Sequence, residues 1–106
     1  MNILHEADQI VNHRSQEKER QYGNFDTCME RMRDLFNIMT GNNCTTQDMY
    51  MAMIAMKLAR QSHAHREDNL LDAAAYMGAM NNHINKNGCD PKGASINGQV
   101  TFKVDD

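Results

Sequence analysis

"TTQDMYMAMIAMKLARQSHAHREDNLLDAAAYMGAM", residues 45–80, decides how this chain folds. Its first half, roughly Thr46 to Gln61, is apolar almost all round a helix, the pattern of a helix placed centrally in a bundle. Thr45 and Asp48 have capping-box spacing at its start. A short loop, Ser62-His63-Ala64-His65, follows. A further helix then runs from about Glu67 to Asn87 and closes at Gly88. So short a loop lays the two helices side by side and antiparallel. Lys57 then stands at the height of Asp72, and Arg60 at the height of Asp68. Asp68, Asp72 and Tyr76 share one stripe of the later helix, and Lys57 and Arg60 share a face of the earlier one. Two readings fit these facing charges: salt bridges that zip a helical hairpin, or a polar site that holds a charged ligand.

Upstream, Ile3, Leu4, Ala7, Ile10 and Val11 recur at helical spacing and define a first helix. It is expected to extend into the charged run Arg14 to Arg20 and to break at Tyr22-Gly23. The second helix is expected to start near Asp26 or Thr27, with Thr27 and Glu30 as its capping box. It presents Met29, Met32, Leu35, Phe36 and Met39 and ends at Gly41. Ala73, Ala74, Gly78 and Ala79 give the last helix a small-residue side that admits a close neighbour, within the chain or from another subunit. The ten methionines read mainly as core filler, with an adaptable binding surface as the other use of such stripes. The expected fold is all-α, a four-helix bundle over residues 1–87. A short C-terminal extension, residues 88–106, carries a β-hairpin signal at Asn97-Gly98.

Composition narrows the function classes. The 106 residues support one domain, small enough that a homo-oligomer is expected. A formal charge of -3 argues against a nucleic-acid binder working through a basic face. No apolar run approaches the roughly 20 residues of a membrane span, and the amino terminus lacks a signal-peptide core. Three scattered cysteines, Cys28, Cys44 and Cys89, read as reduced thiols. The location expected from these features is the cytoplasm. The histidines, His63 and His65 included, signal no zinc site.

"LHEADQIV", "ERQYGNFDTCMERM" and residues 45–80 together resemble an uncharacterised family of small bacteriophage and prophage proteins, over about residues 4 to 84. The matching motifs are Arg-x-Tyr-Gly at Arg20, Tyr22 and Gly23, and Thr-x-x-Asp at Thr45 and Asp48. Lys-x-x-Arg follows at Lys57 and Arg60, then Asp-x-x-x-Asp with its tyrosine at Asp68, Asp72 and Tyr76. Ala75 stands where the family pattern has glycine. That family is in turn distantly similar to the MazG-type all-α nucleoside triphosphate pyrophosphohydrolases, oligomeric bundles that hold Mg²⁺ on paired carboxylates. Magnesium takes oxygen ligands and bridges phosphates during attack by water.

The resemblance implies that Glu67, Asp68 and Asp72 supply the later acidic, metal-holding set, with Asp68 and Asp72 catalytic. Arg20, Tyr22, Lys57, Arg60 and Tyr76 become ligand-binding positions. The earlier acidic pair is missing, because Lys57 and Arg60 stand in its place. Glu30 and Asp34, one turn apart, are the pair that could substitute, but Arg31 and Arg33 between them point to a solvated face. Cations in place of acids bind phosphate directly and need metal less. The function expected is thus a phage-type protein that binds, sequesters or hydrolyses nucleotides. The alternative is a non-catalytic phage factor that modulates a host protein through its methionine-rich face or its tail.

Overall fold

The computed structural model describes residues 1–14, 18 and 24–89 as four helices: α1 (Ile3–Asn12), α2 (Phe25–Thr40), α3 (Thr46–His63) and α4 (Glu67–Asn87). The all-α bundle expected from periodicity is what forms. Tyr22-Gly23, the charged run apart from Arg14 and Lys18, and the Asn97-Gly98 hairpin lie outside the described residues.

The helix starts follow their caps. The Asn2 side chain accepts hydrogen bonds from Leu4 N and His5 N to open α1. At α3 the Thr45–Asp48 capping box forms in both directions. The start of α2 differs from expectation. Asn24 is the cap, its Oδ1 accepting from Thr27 N at 2.7 Å, so Thr27 lies inside the helix instead of opening it. Asn precedes Phe25 here, and Asn is among the strongest N-cap residues, which outweighs the Thr27–Glu30 spacing. Gly41, at φ 74°, supplies the left-handed residue that ends α2. Asn37 then fixes the α2–α3 turn, its side chain donating to Cys44 O at 3.0 Å and accepting from Cys44 N at 2.8 Å.

The core gathers Met29, Cys44, Met49, Tyr50 and Ala79, with Val11, Met32, Phe36, Met53 and Met80 packed against it. α4 packs against both α3 and α1, and α2 lies on α3. The small-residue side of α4 faces α1 of the same chain. A Cβ built on Gly78 would meet a methyl group of Val11 at 3.6 Å, and Ala73, Ala75 and Ala79 are buried. Gly78 thus has a neighbour in α1 of the same chain, which gives its missing side chain an intrachain reason.

The methionines divide. Met29 and Met49 are buried, but Met39, Met51, Met56 and Met77 are exposed, along with Leu35, Ile38 and Leu58. α3 is therefore covered on one side only: Tyr50 and Ile54 point inward while Met51 and Leu58 face out. An all-round apolar helix at the surface of a single chain leaves an apolar face uncovered. Among the described residues no helix is long and apolar enough to cross a membrane. Cys28, Cys44 and Cys89 are free thiols.

Candidate functional site

Lys57 Nζ and Asp72 Oδ2 lie 3.1 Å apart across the α3–α4 hairpin, as the antiparallel register requires. The Lys57 side chain is 16% exposed and that of Asp72 40%, so the pair is shielded on one side only. Arg60 and Asp68 share a height but form no ion pair among the described residues. Asp68 is exposed on the first turn of α4.

Arg60 instead lines a cavity of about 640 Å³ at the α3–α4 turn, together with Met56, His63, Arg66 and Asn69. Gln61 organises this corner. Its side chain lies 2.6 Å from His65 Nδ1, and its Oε1 accepts from Arg66 N at 3.0 Å. Arg66 precedes α4 without a side-chain cap, so the N–H groups of the first turn are not taken up by it. Asn69 is 8% exposed and lines the cavity; its side-chain amide makes no hydrogen bond among the described residues, where no buried side-chain nitrogen or oxygen lacks a partner, so the amide is reached by solvent. Its amide therefore offers both a donor and an acceptor to the cavity.

None of the other described sequence-derived positions lines this cavity. Tyr76 packs edge-on against Phe25, with centroids 5.7 Å apart and planes at 83°. Burial raises the Tyr76 hydroxyl above the usual tyrosine range, Cys28 and Asp72 add to that, and Arg14 opposes it. Glu67 is exposed, with Oε1 3.8 Å from the Met1 amino group. Arg20 and Tyr22 lie outside the described residues. Among the described residues no three His, Cys, Asp or Glu side chains are grouped as a metal site needs.

A second polar cluster went unread in the sequence. Tyr50, fully buried, donates its hydroxyl to Asp26 Oδ1, and the same oxygen lies 3.3 Å from Nδ1 of His83, itself 5% exposed. The Asn87 amide nitrogen lies 3.2 Å from His83 Nδ1. Burial first, then the hydrogen bond and charge of Asp26, push the Tyr50 hydroxyl far above the ordinary tyrosine range. The phenol therefore stays a donor and Asp26 its acceptor. A cavity of about 410 Å³ opens beside the cluster, lined by Asp26, Glu30, Tyr50, Asn82, Lys86 and Asn87 among others. Its residues come from α2, α3 and α4, and no spacing within one helix announces them. The one sequence signal was the 79, 83, 87 stripe that puts Ala79, His83 and Asn87 on one face of α4.

Comparison with known proteins places the chain in one family. Residues 2–84 match the family described as "Domain of unknown function (DUF6378)", and the chain belongs to it. No curated protein and no solved structure matches.

Proposed function

Taking the chain as a member of that family, we propose that it binds a phosphate-bearing small molecule of the nucleotide kind at the α3–α4 turn, with Arg60, Arg66 and Asn69 as its contacts. The observation that carries this reading is the Asn69 side-chain amide, which makes no hydrogen bond among the described residues, in the wall of a cavity that two arginines and His63 also line. Guanidinium groups meet phosphate oxygens in pairs of parallel hydrogen bonds, and an amide N–H adds a fixed donor. Met56 and Ala59 on the same wall offer an apolar surface for a base or sugar.

Lys57, engaged by Asp72, drops out of the contact set, as does Tyr76. Glu67 and Asp68, between the lining residues Arg66 and Asn69 in sequence, are the carboxylates that would meet a magnesium ion that such a ligand brings with it. Two carboxylates make a poor resident metal site, so this reading rests on binding and derives no hydrolysis from metal.

A thermal-shift series with phosphate, pyrophosphate and the common nucleotides, each with and without Mg²⁺, tests the reading. Ligands that bind the native state raise its melting temperature. Stabilisation by pyrophosphate and at least one nucleotide is expected, and a flat response to all of them sinks it. Pyrophosphate release in the Mg²⁺ arm, lost in Asp68→Ala, would add catalysis of the MazG type.

A second reading rests on the uncovered apolar face. Ile38 and Met39, each 81% exposed, and the outward Met51 and Leu58 are the residues that a second copy or a host protein would cover. In this reading the chain works as an assembly or interaction module, and the phosphate site regulates it.

A further inference from the structure

The cavity beside Asp26 has an unusual balance of hydrogen-bonding groups. Asp26 spends Oδ1 on Tyr50 and His83, and its Oδ2 has no partner among the described residues. The Asn82 amide nitrogen is used on Asn12 at 2.9 Å, and the Asn87 amide nitrogen on His83. Each amide keeps its oxygen, and Asn82 also keeps its second N–H. Glu30 lines the same cavity with no hydrogen bond or ion pair among the described residues. Among the described residues, the unspent acceptors at this wall are Asp26 Oδ2, Glu30 and the two amide oxygens, and its unspent donors are the Asn24 amide nitrogen and the second N–H of Asn82. Lys86 is the cation of the lining, and it pairs with neither carboxylate.

Asp26 Oδ2 and Glu30 place two unengaged carboxylates on this lining, and an ammonium group, with three donors and no acceptor, answers them. A lysine held apart from those acceptors calls for an anion at the ligand's other end. We propose that this cavity binds a small zwitterion of the α-amino-acid class, its ammonium on Asp26 Oδ2 and Glu30 and its carboxylate on Lys86. The Tyr50–Asp26–His83 contacts support it by fixing the Asp26 carboxylate before any ligand arrives, which lowers the ordering cost of binding. The cavity's size, about 410 Å³, falls in the range of small-molecule sites. It shares no lining residue with the Arg60 cavity, so the two proposals stand or fall separately.

The test is an NMR titration of the ¹⁵N-labelled chain with each common L-α-amino acid, reading the side-chain amides of Asn82 and Asn87. At least one amino acid should give saturable shifts there. Its N-acetyl derivative, which lacks the ammonium, and its carboxamide, which lacks the carboxylate, should each bind at least about tenfold more weakly. Glu30 and Lys86 are exposed, so Glu30→Gln and Lys86→Met should fold as the parent does. Each should raise the dissociation constant by about tenfold or more. Lys86→Met should remove the difference between the amino acid and its carboxamide. No saturable shift with any amino acid at concentrations on the order of 10 mM would overturn the proposal. Unchanged binding in Glu30→Gln, or a carboxamide that binds as well as the acid, would overturn it equally.

Discussion

Lys57 and Asp72 meet at 3.1 Å between α3 and α4, while Arg60 and Asp68, three and four residues closer to the turn, do not meet at all. The first pair closes the hairpin. The second leaves Arg60 at the mouth of a cavity with Arg66 and Asn69. One hairpin thus carries both a structural ion pair and a cationic corner.

The Lys57–Asp72 pair should behave as a partly screened ion pair. Asp72 is well exposed to water, so breaking the pair by Lys57→Met should cost about 1 kcal/mol, far less than for a fully buried pair. Lys57→Met with Asp72→Leu should recover most of that loss in urea unfolding. Both variants should keep the full thermal response to nucleotide. A double variant that is folded but silent to nucleotide would return Lys57 to the ligand site.

This pair also marks how far the sequence reaches. Antiparallel register follows from loop length alone, so the heights of Lys57, Arg60, Asp68 and Asp72 were legible. Height does not fix direction around the helix axis. Asp68 sits on the first, exposed turn of α4, where it has left the seam, so Arg60 faces the turn instead. The Tyr50–Asp26–His83 cluster was beyond reach because it needs three helices placed in space. The exposed methionines were misread because an apolar stripe records a need for burial without saying whose surface supplies it.

Gly78 separates the small-residue reading from the assembly reading. Its missing Cβ would sit at ordinary contact distance from Val11, so Gly78→Ala should fit and stabilise by about 0.5 to 1 kcal/mol through helix propensity. Gly78→Leu should overpack α1 against α4 and cost about 1 to 3 kcal/mol. Neither should change the sedimentation coefficient. A shift of Gly78→Leu to a smaller species would place this face between subunits after all.

The uncovered face should control assembly. If a second copy covers it, Ile38→Lys with Met51→Lys should move the chain to a smaller species in sedimentation velocity while helical content by circular dichroism persists. A parent chain that sediments as a monomer at high concentration leaves a different protein as the only partner for this surface.

Tyr50 predicts an alkaline limit. Its hydroxyl pKa is raised in the folded state, so the folded chain holds that proton more tightly than the unfolded chain. The stability this contributes is complete below the unfolded tyrosine value of about 10 and is lost as pH climbs above it. Tyr76 is shifted in the same direction and adds to the slope. Tyr50→Phe should cost about 1 to 3 kcal/mol at neutral pH, through the lost hydrogen bond to Asp26. The same variant should flatten the decline in urea stability above pH about 10. An unchanged alkaline slope in Tyr50→Phe would show that Tyr50 is not the group responsible.

Isothermal titration of pyrophosphate into the parent chain and four single variants tests the phosphate site of Arg60, Arg66 and Asn69. The account predicts saturable binding to the parent that weakens as salt is raised. Arg60→Ala, Arg66→Ala and Asn69→Ala should each reduce the affinity, the two arginine variants by about tenfold or more. Lys57→Met should leave it nearly unchanged. Absence of binding to the parent, or the same affinity in both arginine variants, would contradict the account.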